Sequence, residues 1–324
     1  MKKENGLIHA FILDGQGAGK RIDWKHARDW KPADGLLWMH MDYSHPEVEK
    51  WIRKKSGLNM VAARTLLAGD TRPNVVPQKE GLLITLRGVH LQPGANPEDM
   101  VAIRIWIEEG RILSTQKRPL LSIDSICREI DEGIGPKNQL EFITQLTSKL
   151  AKRITEVVDE IDERVDEIQE QVLTLENAEL RSQLSDLRRR AISIRRYLAP
   201  QREALNLLAQ GKSMPMDDLQ RMHLIEISNH MVRILENLDT ARERATVTHE
   251  ELVNRLSEQI NKRIYILSIV AAIFLPLSFL TGLLGINVGG IPGAENKSAF
   301  LYVCIIIGLI VVIQAWFLKK SKWM

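Results

Sequence analysis

Residues 264–286 read IYILSIVAAIFLPLSFLTGLLGI, and residues 299–318 read AFLYVCIIIGLIVVIQAWFL. The first run holds 23 residues without a charge and the second holds 20. As helices, both are long enough to cross a hydrocarbon core of roughly 30 Å. Everything before them is polar or ordinarily globular in composition. The expected chain is therefore a large soluble part that ends in two transmembrane helices. Two spans enclose no pathway, so any pore would have to be built from several copies.

The length of 324 residues allows about two soluble modules besides this hairpin. A net charge of +3 does not suggest a nucleic-acid partner. Cys127 and Cys304 form neither a disulfide framework nor a zinc-ligand spacing. Cys304 falls inside the second run and is expected to pack as a small hydrophobe. The start, MKKENGLIHA, has no signal-peptide core, so the soluble part is expected to stay in the cytoplasm. Lys262 and Arg263 precede the first span, and Lys319, Lys320 and Lys322 follow the second. Positive residues favour the cytoplasmic side, which puts both termini there and the loop 287–298 outside. Tyr302, Trp316 and Trp323 stand where aromatic anchors belong.

Residues 1–136 read as an α+β domain, with strands expected at Leu7–Leu13, Leu36–Met41, Gly81–Gly88, Val101–Ile107 and Arg111–Thr115. Helices are expected at His45–Lys55 and Leu121–Glu132. Gly133-Ile134-Gly135-Pro136 closes the domain. Residues 137–210 read as an antiparallel helical hairpin. Its first arm carries eight acids between Glu156 and Glu170, and its second carries seven arginines between Arg181 and Arg202. Laid side by side, the arms would pair in charge; the alternative is that the acidic arm senses divalent cations. Pro200 is expected to kink or end the second arm. After Gly211 and Pro215, Asp217 reads as the N-cap of one long helix, 216–286, which continues into the first span, 264–286. Such a helix would run on the order of 100 Å. Leu224, Met231, Leu238, Ala245 and Leu252 recur every seven residues along it, as in the seam of a stalk. The second span, 299–318, leads to a short tail, 319–324.

A second stripe runs along the same helix. Glu250, Asn254, Ser257, Asn261, Ser268, Ala271, Leu275, Ser278 and Gly282 are spaced by three, four or seven residues. Hydroxyls and amides inside a membrane face a helix neighbour or water rather than lipid. A ring of such helices would enclose a narrow pore lined by small polar groups. Its constriction would be apolar at Leu275, and Pro276 would loosen the backbone beside it. For Ser268 and Ser278 alone, the competing reading is a bond to the carbonyl four residues back. At the end of this helix, Gly285, Ile286 and Asn287 form a candidate ion entrance. The neutral Asn287 carbonyl could hold a hydrated divalent ion by its water shell without stripping it. The plain alternative is that Asn287 only caps the helix.

Other candidates lie outside the membrane. His223, Glu226 and His230 share one face at metal-ligand spacing, and His249-Glu250 could contribute an acidic ring in an oligomer. Lys262 and Arg263 could form a basic collar at the inner membrane face or act only as topology signals. No Ser-His-Asp arrangement or metal-hydrolase spacing is visible, so an enzyme is not expected. The Gly15-Gln16-Gly17-Ala18-Gly19 run lacks the lysine and helix of a phosphate loop.

Two C-terminal spans, a long helix running into the first, and Gly-x-Asn at its end resemble the CorA superfamily of divalent metal ion transporters. The magnesium branch usually has Gly-Met-Asn, whereas this chain has Gly285-Ile286-Asn287 followed by Val288-Gly289-Gly290-Ile291-Pro292-Gly293. That loop is similar to the zinc-transporting ZntB branch. So are Thr71-Arg72-Pro73 with Leu82–Arg87, Gly133–Pro136, the segment Arg195-Arg196-Tyr197-Leu198-Ala199-Pro200-Gln201-Arg202, and the terminal Ser321-Lys322-Trp323. The resemblance covers essentially the whole chain. It implies a funnel-shaped homopentamer in the bacterial inner membrane, with the first span lining the pore and the second facing lipid. It implies Zn2+ as transported substrate, with cadmium and nickel also accepted and entry coupled to protons, and no resident cofactor. The main alternative is a magnesium, cobalt and nickel channel of the same superfamily; Ile286 argues against magnesium. Leu284 also departs from the magnesium branch, which tends to have an aromatic residue there. A third alternative is a membrane-tethered metal-sensing scaffold that conducts nothing. Zinc prefers imidazole and thiolate, and the stripe holds neither, which argues against tight inner-shell binding inside the membrane.

Overall fold

The computed structural model describes residues 5–92, 94–96, 98–174, 178–211, 214–286 and 296–320. The chain divides into two compact units, Met1–Glu250 and Glu251–Met324.

The first unit is built on a seven-stranded sheet. Its strands are β1 Leu7–Leu13, β2 Gly19–Arg21, β3 Leu36–Asp42, β4 Asn74–Gln78, β5 Gly81–Gly88, β6 Val101–Glu108 and β7 Arg111–Gln116, in the order β2-β1-β3-β7-β6-β5-β4. All neighbouring pairs are antiparallel except β3 and β7. The five strands expected from the sequence are present. The two that were not expected are the edges: β2 has three residues, and β4 carries Pro77, which a sheet tolerates at its rim.

Both faces of the sheet are covered. One face packs against three short helices, α1 Trp24–Arg28, α2 Pro46–Lys54 and α3 Met60–Leu66. There Met39, Leu83, Trp106 and Leu113 meet Val48, Ile52, Ala62 and Leu66. On the other face Phe11, Trp38, Ile84, Ile103 and Ile112 meet Ile126 of α4 (Leu121–Asp131) and Phe142 and Leu146 of α5 (Gln139–Thr174). Leu208 of α6 (Ala178–Ala209) and Leu224 of α7 (Asp218–Leu284) complete this core. Burial on both faces explains why β5 and β6 are largely apolar along their whole length.

Helix α6 runs through Pro200 to Ala209, so the proline does not end it. The charge pairing between the α5 and α6 arms is sparse: Arg190 lies 3.8 Å from Glu160. The acids of α5 instead meet α7, where Arg244 pairs with Asp162 at 3.0 Å and with Asp166. Arg195 of α6 likewise pairs with Asp239 of α7 at 2.7 Å.

Asp217 caps α7 as expected. Its carboxylate accepts the Gln220 backbone N–H at 2.7 Å, and the Gln220 side chain accepts the Asp217 N–H at 3.1 Å. The seven-residue repeat is buried, but within the chain: Leu224, Met231, Leu238, Ala245 and Leu252 are each at most 1% exposed. Ser228 bonds Asn206 of α6, and His230 meets Thr155 of α5. From Leu224 to Ala245 the seam therefore belongs to an intrachain helical layer with α5 and α6 rather than to a stalk standing alone.

The second unit holds the end of α7 and α8, Ala299–Lys320. Both helices are long and apolar enough to cross a membrane.

Candidate ion pathway

The two apolar helices shield one another along one stripe each. On α7 the half-buried positions are Ile269, Ile273, Leu277 and Leu280. On α8 they are Ala299, Val303, Ile307, Ile310, Val311, Gln314 and Ala315, with Leu318 buried. At 3.6 residues per turn, Ser268, Ala271, Leu275, Ser278 and Gly282 fall roughly opposite the α8-facing stripe of α7. All five are exposed, Leu275 at 71%. Asn254, Ser257 and Asn261 continue the same side and are exposed too. The polar stripe is thus the face that α8 leaves uncovered.

Two local details sharpen this. Among the described residues, neither Ser268 nor Ser278 gives its hydroxyl to a helix carbonyl; Thr281 does, to Leu277 at 3.0 Å and Ser278 at 3.2 Å. The two serine hydroxyls remain available to water or an ion's hydration shell. At Gly282 an added Cβ would meet nothing within 4 Å, so no contact inside the chain demands a glycine there. A close neighbour outside the chain would demand one.

Helix α7 stops at Leu284. The Gly285 N–H closes it on the carbonyls of Thr281 at 2.9 Å and Gly282 at 3.1 Å. A Cβ on Gly285 would sit 3.1 Å from the Thr281 carbonyl oxygen, so the tight end favours glycine. Ile286 is exposed. Asn287, the main candidate for the ion entrance, and Trp323 lie outside the described residues.

The basic collar candidates stand on α7 just before its apolar run. Lys262 and Arg263 are both exposed. By helical phase, however, Lys262 belongs to the α8 side of α7, and Arg263 stands about a quarter-turn from the polar stripe.

The metal candidates of the first unit do not assemble. His223, Glu226 and His230 line one wall of a groove of about 530 Å³ whose other wall includes Glu129 and Lys149. His230 Nε2 turns to Thr155 Oγ1 at 3.2 Å, and Glu129 is held by Lys149. His249 is half-buried and Glu250 exposed. Among the described residues, no three His, Cys, Asp or Glu side chains converge to hold a metal. Two acids of the acidic arm, Asp162 and Asp166, are taken up by a single arginine, Arg244. The Gly15–Gly19 run is a turn in which the Asp14 carboxylate accepts N–H groups of Gln16, Gly17 and Ala18.

Against known proteins, residues 33–320 match the family described as CorA-like Mg2+ transporter protein. The chain belongs to the CorA superfamily of divalent metal ion transporters. It is 38% identical to the divalent cation transporter CmaX of Pseudomonas aeruginosa, across 99% of this chain and 98% of that one. The solved structure of full-length CmaX matches with a TM-score of 0.86, covering 99% of each chain. The zinc transport protein ZntB of Pectobacterium atrosepticum is 34% identical, across 99% of this chain and 97% of that one. The CorA magnesium transporter of Methanocaldococcus jannaschii, at 16% identity, shares the fold with a TM-score of 0.81. Within the superfamily, this chain stands in the ZntB-like branch.

Proposed function

We propose that this protein carries zinc across the bacterial inner membrane, through a pore formed by the first transmembrane helices of five identical chains, in an uptake coupled to protons. Both termini face the cytoplasm, following the lysines and arginines that flank the spans. One observation carries the reading: the small and polar residues of α7 occupy the face turned away from α8. A helix embedded only in lipid has no reason to collect serines and a glycine on the side its own chain leaves bare.

The stripe indicates how the ion moves. Within the span it offers hydroxyls and no imidazole, thiolate or carboxylate, so zinc keeps its water shell, and Ser268 and Ser278 bond to those waters. Weak, repeated contacts of this kind let an ion leave as readily as it enters. Leu275, between the serines, supplies an apolar ring that can close by shedding water. The neutral amide of Asn287, next in sequence after Ile286, is the proposed acceptor at the outer end.

The test is zinc influx into liposomes that hold the purified protein and a zinc-sensitive dye, with and without an inward proton gradient. Influx is expected to rise with the gradient and to fall to background in Asn287→Ala. Influx indifferent to the gradient contradicts proton coupling, and full influx in Asn287→Ala contradicts the entrance. A second reading, a channel for a wider set of divalent cations, is favoured by the 38% relative, whose name specifies no metal. Equal influx of zinc, magnesium and cobalt would support it over the zinc reading.

A further inference from the structure

A cavity of about 480 Å³ opens between the sheet and α6 in the first unit. Three segments that the ion pathway does not use meet there: Thr71 with its neighbour Asp70, Arg87 at the end of β5, and Tyr197 with Gln201 of α6. Arg87 is nearly buried. Its guanidinium donates to the Thr71 carbonyl at 2.8 Å, the Met100 carbonyl at 2.8 Å and Asp70 at 2.8 Å. It lies over the Tyr197 ring at 4.0 Å, and its backbone N–H donates to Gln201 Oε1 at 2.6 Å.

Beside it stands Arg104 of β6, only 1% exposed. Its guanidinium donates to the Gly69 carbonyl at 2.9 Å and lies 4.8 Å from the Tyr43 ring centroid. Its Nε has no hydrogen-bond partner, and among the described residues no carboxylate comes within 4.0 Å of it. A hydrogen bond to Tyr43 and the more distant Asp70 offset the cost of its burial only in part, and a buried guanidinium so weakly balanced is costly. Lys117, Arg118 and Arg196 add exposed positive charge at the mouth. The acids nearby do not balance these cations. Asp70 is 90% exposed on its side chain, Glu98 is taken by Arg190 at 3.3 Å, and Asp99 pairs at 3.9 Å with Arg118.

We infer that this cavity is a binding site for a small phosphate-bearing anion, held by Arg87 and Arg104 at its floor and by Arg118 and Arg196 at its mouth. Planar guanidinium groups match phosphate oxygens in pairs, and a space of this size takes a molecule of several phosphate groups or a nucleotide. The missing negative charge beside Arg104 would then be the ligand's.

Calorimetric titration of the full-length protein in detergent, free of divalent metal and at low salt, tests this with orthophosphate, tripolyphosphate and ATP. At least one is expected to bind saturably. Tripolyphosphate and ATP binding alike would assign the site to a phosphate chain, ATP alone to a nucleotide, and orthophosphate alone to the free ion. Arg104→Met is expected to weaken binding at least tenfold without lowering the melting temperature of the ligand-free protein, because it removes an unbalanced buried charge. Should that variant fail to fold, the exposed Arg196→Ala must still weaken binding severalfold. Absence of saturable binding by all three anions, or unchanged affinity in Arg104→Met and Arg196→Ala, would overturn the inference.

Discussion

His9 shows how one side chain in the first unit ties stability to pH. It lies on β1 opposite α4, 3.9 Å from Asp124 and stacked on His40. Burial, and then the nearby Arg21 cation, hold its pKa below the ordinary 6.5, against the pull of Asp124 and Asp131. The folded chain therefore takes the proton later than the unfolded chain does. Its contribution is complete above about pH 6.5 and is lost as pH falls through that value toward the lower folded pKa. His9→Asn is expected to lose less stability than the parent between pH 7.5 and 5.5, in urea unfolding followed by tryptophan fluorescence. Equal losses would mean that His9 does not set this dependence. Not all such residues could be found in the sequence. The spacing of Ser268, Leu275 and Ser278 is local and legible. The Arg87–Gln201 bond joins residues 114 positions apart, and no periodicity announces it.

Among the elements, α7 shows both what patterning reveals and what it leaves out. Its seven-residue apolar repeat, its N-cap and its length were legible because each is written in neighbouring residues. What the repeat packs against was not, since an apolar stripe has the same form facing another chain or its own α5 and α6. The sparse ion pairing between α5 and α6 among the described residues follows from the same gap: opposite charge on two arms does not say which third helix will take it up. Leu238 is 1% exposed within this layer, and Leu238→Ala should cost about 2–5 kcal/mol, read from thermal or urea unfolding of the soluble part. Val247, 59% exposed on the same helix, should change stability by no more than about 0.5 kcal/mol when replaced by Ala. Similar losses at both sites would contradict the intrachain layer. The edge strands β2 and β4 escaped notice because three residues, or five with a proline, give too little alternation to read.

At the scale of the whole molecule, the two-part plan was plain from the uncharged runs, and family membership confirms its class. The sites were less legible. Helical spacing alone grouped His223, Glu226 and His230, yet the fold commits His230 to Thr155. A face that α8 leaves bare needs neighbours, and five copies are the proposed arrangement. Native mass spectrometry from detergent should give five times the 36.9 kDa chain, and a dominant monomer or dimer would refute it. The central claim is that the bare face of α7 is the zinc path. Burial pushes the Cys127 thiol up to about 12, so it stays unreactive, and Cys304→Ala gives a background for single cysteines. Zinc influx would be measured in proteoliposomes before and after a water-soluble methanethiosulfonate is added to Ser278→Cys and Ile273→Cys. The account predicts a block in Ser278→Cys and none in Ile273→Cys; a block at Ile273 with Ser278 untouched would contradict it.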